Sequence, residues 1–505
     1  MKHLMFLVVC AGISYNLFAQ EDDQATIISR MVPNTVDIRS IGMGKTEVAG
    51  KTGSNAVFSN PSLLALQEKG SVKLGTSLNF GFEKNEATDE IIDETDADLK
   101  YGYKPNFKFS NISAAVPIHF QLPSAPISIA FGAGYQNAIN LSFTKYSEEE
   151  SSDGNYNWKS RYTGGLNTVT PGFSFGAFDR ISAGISLNIG FGKIRTKIIE
   201  EFKNGLAKEE SEMHTTATGK AFYPTFGFSG KPLENMTIGI SVSPSFEWEF
   251  DEIEIETESD ESDNEFEMDG GEFTMPSKFS FGLEYQITPN FSLAVEYQTR
   301  PFESFEVDAE TGEDGGGMIG YEQLIDSMDL ENGHVFHLGA EIIAGKVPVR
   351  LGFFLEPCAI TDQNVRLNGT LKYDGKPNYM MGGTFGLGIP VGNSAFIDLA
   401  TQYGFLKNTV KIPKKYTDTH HLIRVDLGLN IDLPAVIVKK SASPIPQSTN
   451  AKQNSQPNYQ NQQSTQPNYQ PYPQTAPEQI TPEQYQSPDS NSSEEQINRY
   501  QNPEF

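Results

Sequence analysis

The stretch ISAGISLNIGFG, residues 181–192, indicates the fold class of this protein. Apolar residues occupy every odd position from Ile181 to Phe191, and Ser, Gly or Asn occupies every even position. Because successive side chains of a β-strand point to opposite faces, the stretch predicts a strand with one apolar face and one small, polar face. It is also longer than the five or six residues usual in a soluble strand. Both features are typical of a strand with lipid on one side and a barrel lumen on the other.

The same alternation recurs along the chain. Apolar residues share one phase, and mostly Gly, Ser, Asn or Ala the other, in the segments 72–82, 127–135, 236–250 and 423–431. A soluble sandwich also alternates, but its polar face is usually rich in Lys, Glu and Thr. One such segment is a weak signal for a membrane barrel, whereas the repetition is a strong one. The sequence therefore predicts an all-β fold, a transmembrane antiparallel β-barrel.

The connections between these segments provide an independent test. Short turns are predicted at 122–126, 178–180, 232–235, 288–290, 344–346 and 391–393. Long polar stretches, interpreted as loops, alternate with them near 84–105, 147–157, 201–212, 251–271, 307–332, 360–378 and 412–419. Outer-membrane barrels combine short periplasmic turns with long extracellular loops in this way. The pattern predicts about 14 strands and a multi-pass location in the outer membrane of a diderm bacterium.

Four regions follow from the composition. Residues 1–20 are predicted to be a signal peptide, because Lys2 and His3 precede an apolar run that ends near small residues such as Ala19. Residues 21–70 precede the first clear strand and are predicted to fold into the lumen as a plug, or hatch. The barrel is assigned to residues 71–433. Residues 434–505 are rich in Pro, Gln and Asn, which predicts a disordered periplasmic tail.

Charge and cysteine content exclude several classes of function. The 38 basic and 65 acidic residues give a net charge of −27, which argues against a nucleic-acid partner. Acidic residues concentrate at 83–98 and 251–272, and we interpret these stretches as solvated loops. The alternative is that they bind divalent cations that bridge them to anionic surface glycolipid. Cys10 is expected to leave with the predicted signal peptide, and the one cysteine left, Cys358, cannot form an internal disulfide or a CxxC metal pair, so the fold is not a disulfide scaffold. We predict no enzyme activity, no cofactor and no metal.

A specific resemblance lies at the start of the mature chain. The motifs are RSIGMG at 39–44, EVA at 47–49 and SNAVFSNPSLL at 54–64. They resemble the N-terminal region of the FadL-type family of outer-membrane transporters for hydrophobic compounds, including long-chain fatty acids. That family has an Asn-Pro-Ala motif, whereas Ser62 follows Asn60 and Pro61 here. Weaker similarity at 275–283, 348–353 and 379–389 extends the resemblance to residues 25–433.

The resemblance implies both a fold and a mechanism. The family forms a 14-stranded barrel with an N-terminal hatch, which agrees with the strand count from the turns. Its ligands are captured from outside, pass the hatch and leave sideways through an opening at a kink in the third strand. The candidate substrate-binding or gating residues are therefore Asn60, Pro61 and Ser62 in the hatch, and Gly132, Gly134 and Asn137 in the third strand.

Purely structural interpretations of these residues, without a role in binding or gating, remain open. Asn60 and Pro61 could simply form a turn, because proline disfavours helix in the residue before it. A polar residue that faces hydrocarbon is costly, so Asn137 marks either a kink or the membrane interface. His334 and His337 are three residues apart in a predicted strand and should face opposite sides, which makes them a poor metal pair.

Three functions are compatible with these patterns. The leading hypothesis is passive uptake of hydrophobic small molecules or fatty acids by a plugged barrel that contacts outer-membrane lipid. The alternative is a FadL-like outer-membrane component of a protein secretion or surface attachment system, with a periplasmic or secretion partner bound through the tail. A general diffusion porin is the third, although a plugged lumen argues against it. The barrel-assembly machinery is an expected partner during biogenesis.

Overall fold

The structure, a computed structural model, describes eleven segments of the chain. They are residues 34–87, 105–122, 125–151, 154–204, 207–259, 262–268, 270–309, 330–365, 371–411, 415–434 and 436–439. The predicted signal peptide and nearly all of the predicted tail lie outside these residues. So does most of the acidic stretch at 83–98.

Fourteen antiparallel strands form the barrel in the described part of the chain, as the alternation of turns and polar stretches predicts. Four of them are interrupted and consist of two or three segments. The strands are β1 Gly70–Ala87, β2 Asn106–Gln121, β3 Ile127–Asn137 with Phe143–Ser151, β4 Gly154–Ala177, β5 Ile181–Asn204, β6 Ala207–Leu233, β7 Met236–Ser243 with Phe246–Ser259, β8 Ser262–Met268 with Gly271–Met275 and Lys278–Thr288, β9 Phe291–Arg300 with Glu306–Ala309, β10 Gly333–Ala344, β11 Val347–Val365, β12 Leu371–Val391, β13 Ala395–Lys411 and β14 Lys415–Leu433.

Pairing between the first and the last strand closes the barrel. Each strand pairs with the next, and β1 pairs with β14 from Gly70 opposite Leu433 to Ala87 opposite Tyr416. Closure leaves no open sheet edge between β1 and β14, as a barrel in lipid requires. A further short strand, β15 (Val436–Lys439), runs parallel to the end of β2. Regular structure therefore continues for a few residues past the predicted barrel boundary at 433.

The two faces of β5 match the predicted alternation, whereas on β7 the phase changes between the two segments, so that Trp248 and Phe250 face the lumen instead of lipid. On β5 the odd positions point outward, and Ile189 is 48% exposed. The even positions point into the lumen, where Ser186 and Asn188 are each 1% exposed. Large apolar side chains thus cover the outside, the surface that lipid would contact. Among the described residues, no helix is long and apolar enough to cross a membrane.

The interpretation of several polar stretches as loops was wrong. The stretch 201–212 is the tip of the β5–β6 hairpin, which is paired up to Asn204 opposite Ala207. The acidic stretch that starts at 251 continues β7, and Ile253 points into the lumen and is buried. Since alternating Ile and Glu still gives one apolar and one charged face, strand pairing persists there. β5 and β6 contain 24 and 27 residues, more than the 9–11 needed to cross a bilayer. They therefore project beyond it.

Residues 34–69 fold into the lumen as a hatch. They form helix α1 (Ile38–Gly42), a 3-10 turn (Gly53–Asn55), helix α2 (Ala56–Ser59) and a second 3-10 turn (Pro61–Leu64). Asp37 caps α1 by accepting a hydrogen bond from the backbone N–H of Ser40. These elements are short, so packing against the barrel wall rather than helix propensity must hold them.

Glycines in the wall allow the hatch backbone to approach closely. A Cβ on Gly184 would lie 2.6 Å from the carbonyl carbon of Pro61, and one on Gly386 would lie 2.9 Å from the Cα of Gly42. A Cβ on Gly352 would collide with the backbone of Gly44. Side chains at these positions would push the hatch away. The small residues in the lumen-facing phase are therefore the positions on which the hatch backbone packs.

Candidate lumen site and lateral gap

β3 breaks after Asn137 and bends into the lumen. Residues 138–142 leave the ladder, and the N–H groups of Ile139 and Leu141 donate instead to Leu166 O and Gly164 O at 3.0 and 3.1 Å. Ile139 is 0% and Leu141 1% exposed. The bend therefore inserts two apolar side chains into the barrel interior.

The bend leaves a gap in the barrel wall between β2 and β3. Their described pairing ends at Asn111 opposite Gln136, although β2 continues outward to Asn106. A β-bulge at Ser110 lies at the same height, because Gly75 faces Asn111 while Thr76 faces Phe109. Bulges are common where a strand is bent or its pairing ends. The two irregularities coincide and create a lateral opening.

Polar side chains bridge this gap. Lys108 Nζ donates to Asn140 Oδ1 and to Gly164 O, the latter at 3.2 Å. Asn106 Nδ2 donates to Ser142 O at 3.1 Å. A cavity of about 600 Å³ lies here. The gap is thus closed by side-chain hydrogen bonds, which can rearrange more easily than a ladder of backbone hydrogen bonds.

A large apolar cluster fills the lumen behind the bend. Tyr223 and Phe246 stack with ring centroids 3.9 Å apart, and Trp248 is fully buried. The buried members are Ile139, Leu141, Leu166, Ala221, Tyr223, Phe246, Trp248, Phe250, Ile253, Met275, Phe302, Phe305 and Leu330. Apolar residues inside a membrane barrel are unusual, because the lumen is normally polar. The cluster is therefore a candidate surface for a hydrophobic ligand.

A small cavity separates this cluster from the hatch. Its volume is about 70 Å³, and its apolar walls include Phe58, Phe246, Met275 and Phe302. A cavity of about 150 Å³ is known to hold benzene in another protein. The cavity is too small for a hydrocarbon of that size, so this conformation is closed. A ligand could pass only if aromatic side chains or the hatch moved.

Asn60, Pro61 and Ser62 are brought together on the wall formed by β5, β6 and β7. Asn60 is fully buried, and its Nδ2 donates to Val48 O at 2.6 Å and to Ser229 Oγ at 3.1 Å. Its Oδ1 accepts from the N–H and the hydroxyl of Ser62. The amide therefore joins two parts of the hatch to β6. This turn lies away from the gap between β2 and β3.

Gly132 and Gly134 face the lumen and contact a different part of the hatch. A Cβ on Gly132 would lie 3.0 Å from the Leu64 side chain, and one on Gly134 would collide with the Phe58 ring. Asn137, in contrast, faces outward, where its Nδ2 donates to Asn167 Oδ1 at 2.9 Å. Of the six candidate residues, Asn60, Pro61 and Ser62 thus lie together in the hatch, against β6. Gly132 and Gly134 lie beneath Phe58 and Leu64, and Asn137 lies at the bend.

A buried ionic network fixes the first helix of the hatch. Arg39 Nη2 lies 3.0 Å from Glu341 and 3.2 Å from Glu284. Arg350 bridges Glu341 to Asp398 at 2.7 and 2.6 Å. Burial alone would lower the pKa of Arg39, but the two glutamates hold it above its usual value, so Arg39 stays charged.

Two hatch carboxyls have opposite environments. Burial acts to raise the pKa of Asp37, but the ion pair with Lys73 and the hydrogen bonds from Ser40 hold it below its usual value. Burial raises the pKa of Glu47 to about 7, opposed by Lys278 and assisted by Glu296. Asp37 is therefore a fixed anion, whereas Glu47 changes charge near neutral pH.

The BamG family model matches residues 2–411 of the sequence. The chain belongs to the BamG family. No curated protein matches the sequence closely enough to count as a relative.

Solved structures relate this BamG-family chain to FadL-type barrels by fold. A Pseudomonas aeruginosa FadL homologue aligns with a TM-score of 0.54 at 12% identity, over 80% of this chain and 99% of that one. The toluene transporter TodX of Pseudomonas putida gives 0.47 at 14% identity, over 80% and 99%. The toluene transporter TbuX of Ralstonia pickettii gives 0.44 at 13% identity, over 78% and 97%. The predicted FadL-type barrel fold is confirmed by the first of these.

The ionic network of this BamG-family protein is not among the features predicted from the sequence, although the sequence contains a signal for it. Glu284, Glu341 and Arg350 each occupy the small, polar phase of a predicted strand and therefore point into the lumen. A charge in that phase needs a partner, because an unpaired buried charge is costly. Arg39, inside the hatch motif, was the available counter-ion. His334 and His337 lie on opposite faces, as their spacing predicts, with His337 buried beside Glu356.

Proposed function

We propose that this protein takes up hydrophobic compounds, such as long-chain fatty acids, through the outer membrane by passive passage through its plugged barrel. The bend in β3 supports this proposal most directly. It brings Ile139 and Leu141 into the apolar cluster and leaves a gap in the backbone ladder of the wall, which side-chain hydrogen bonds close. An apolar surface and a lateral exit adjoin each other there. A ligand could thus reach the membrane without crossing water.

The route has two steps. A ligand first reaches the apolar cluster from the extracellular side, where Trp248, Phe250 and Phe273 contact one another edge-on or tilted. It then passes Phe58 of the hatch and leaves between β2 and β3. Since the cavity at this point is only about 70 Å³, passage requires the Phe58 ring and the hatch turn to move. Ligand binding supplies the energy for that movement, because it buries apolar surface.

Mass spectrometry of hydrophobic molecules extracted from the purified, folded protein tests this function. We expect a stoichiometric fatty acid or hydrocarbon, and a Phe246→Ser/Phe302→Ser variant that folds but carries less of it. Phe178→Ser is the matched control, since Phe178 is exposed at a turn on the outside. An empty wild-type barrel, in a membrane that supplies such compounds, would contradict uptake.

A second candidate is an interaction role in the assembly or secretion of other outer-membrane proteins. Two observations favour it. The family name, BamG, hints at the barrel-assembly (BAM) machinery, and the hatch is fixed by the Arg39 network and by the glycine wall. A sealed barrel of this kind could serve as a structural subunit.

Co-purification from membranes distinguishes the two candidates. An assembly role predicts stable recovery of the barrel-assembly machinery with the full-length chain, and loss of other outer-membrane proteins when the chain is depleted. Uptake predicts neither result, but predicts loss of growth on the hydrophobic compound. A chain without residues 440–505 tests whether the tail carries the interaction.

A further inference from the structure

The outward face of β5 changes from apolar to basic at one level. Six outward positions in succession, from Ile181 to Phe191, are apolar, and the next two are Lys193 and Arg195. These eleven residues extend about 33 Å along the strand, which at a tilt of about 40° corresponds to a height of about 25 Å. That height equals the apolar band of outer-membrane barrels. The basic residues therefore begin where the hydrocarbon ends on the extracellular side.

Two more cations lie on the same face of β4. Lys159 and Arg161 are in the outward phase of that strand, and Arg161 is opposite Lys197 of β5. Together with Lys193 and Arg195 they form a surface that we call the basic patch. Arg161, Lys193 and Arg195 are exposed and Lys159 is half-buried.

Carboxylates do not neutralise the basic patch. Lys193 is flanked across the strands by Gly165 and Thr218, and Arg195 by Thr163 and Thr216. Among the described residues, no ion pair involves any of the four cations of the patch. Glu201, on the strand next to Lys159 and two residues along, is already paired with Lys203 and Lys208. For Lys193 and Arg195 the nearest outward acids in the ladder are on β7, such as Glu254 opposite Thr216. They are two strands from Arg195, about 10 Å away, a distance at which salt screens much of the attraction.

The basic patch adjoins the cavity at the lateral gap. Lys159 and Arg161 line this cavity of about 600 Å³ together with Lys108, and its apolar walls include Phe109 and Phe143. None of the described lining residues is acidic. In a chain of net charge −27, a site with three cations and no acid is selective for an anion.

We propose that the basic patch binds the phosphate groups of an anionic glycolipid in the outer leaflet of the membrane. The patch continues directly into the apolar band, so a bound molecule would place acyl chains against Phe191 and Ile189 and phosphates against Lys193 and Arg195. Arginine and lysine are suited to phosphate, arginine by two parallel hydrogen bonds. A soluble acidic protein would not need the apolar half of this surface. The proposal rests on outer-membrane location but not on uptake.

Binding of lipid A to the full-length protein tests the proposal. The probes are lipid A with two phosphates, the same lipid after enzymatic removal of both phosphates, and inorganic phosphate alone. The variants are Lys193→Gln/Arg195→Gln and, as a conservative control, Lys193→Arg/Arg195→Lys. Lys220→Gln is the matched control, because Lys220 is an outward lysine on the neighbouring strand that is already paired with Asp251 at 2.8 Å and Glu249 at 3.5 Å.

We expect native mass spectrometry to show that the wild type prefers bisphosphorylated over dephosphorylated lipid A by at least about tenfold. The Lys193→Gln/Arg195→Gln variant should lose that preference, whereas the conservative variant and Lys220→Gln should keep it within about twofold. Inorganic phosphate alone should not displace the lipid at millimolar concentration.

Equal binding of both lipids by the wild type, or a full preference in the glutamine variant, overturns the proposal. Uptake of hydrophobic compounds by that variant, measured in parallel, should be unchanged, so failure of this site is separable from failure of the transport function.

Discussion

Ser62 Oγ and Ser229 Oγ lie 2.6 Å apart, the first in the hatch and the second on β6. Both side chains also bond to Asn60, so this pair holds the turn after α2 to the barrel wall. If the hatch moves during uptake, the distance between these two atoms must increase. A covalent link between these two residues would therefore prevent movement of the hatch.

A Ser62→Cys/Ser229→Cys variant should form a disulfide and lock the hatch. Cys358 is buried and packs with Leu406 rather than with the hatch turn, and the oxidising periplasm favours the bond. We expect uptake of a hydrophobic compound to fall at least about tenfold and to recover on reduction. Each single cysteine variant is the control. Full uptake by the oxidised protein would mean that this turn does not open, and would favour the interaction role.

A Gly134→Val substitution should displace the hatch from β3. The new side chain would collide with Phe58 and would lie close to Ile112 O, which costs about 1–3 kcal/mol as an overpacked contact. We expect a folded, heat-modifiable barrel with altered uptake. Ala133→Val, at the adjacent exposed position that faces lipid, should leave uptake unchanged. Wild-type uptake by the Gly134→Val variant would argue against an exit at the bend.

Loss of Arg39 should destabilise the hatch strongly. An Arg39→Met variant leaves Glu284 without its only described cation, and an unpaired buried charge of this kind costs about 3–5 kcal/mol. We expect a lower temperature for the heat-induced shift in gel mobility and faster proteolysis of the hatch. Lys69→Met is the control, because Lys69 pairs with Asp432 at an exposed site, where ion pairs contribute about 0–1 kcal/mol. A similar effect of both variants would contradict a stabilising role for the network.

Glu47 should make the hatch pH-sensitive. Burial raises its pKa to about 7, so the folded hatch binds this proton more tightly than an unfolded one. The contribution, on the order of 3 kcal/mol, is present below about pH 4.5 and is lost as the pH rises through about 7. We expect proteolysis of the hatch to accelerate between pH 5 and pH 8 in the wild type but not in Glu47→Gln. Glu303→Gln, at an exposed site, should behave like the wild type, and a flat wild-type profile would contradict the assignment.

The sequence was sufficient to predict the barrel because the relevant signal is local. Alternation along 181–191 shows which side chains face lipid, and the turn at 178–180 shows where the chain reverses. The lengths of the projecting hairpins were underestimated because a charged outward face, as at 251–258, was interpreted as a loop. In the structure, Ile253 and Ile255 keep the inward face apolar and so continue the strand.

The candidate site was only partly predictable, because its contacts join residues far apart in the chain. Asn60 was found from its motif, but nothing local indicates that Ser229 is its partner. The bend after Asn137 depends on Gly164 and Leu166 of the next strand, which accept the hydrogen bonds of the displaced residues. The apolar cluster was missed because Trp248 and Phe250 were assigned to the lipid-facing phase. That assignment was wrong for these two residues, since Pro244 interrupts β7 between its two segments and the phase changes there.

The glycine wall that receives the hatch makes tolerance to mutation strongly one-sided. At Gly184, Gly227 and Gly239 even a methyl group would meet the hatch backbone or Asn60, whereas their neighbours along each strand face lipid and only need to be apolar. Genetic drift can therefore change the outside of the barrel freely while these inner positions stay fixed. A library of single substitutions, scored for folded protein, would show a period of two along β5 to β7 at the level of the hatch, and that periodicity should disappear above it.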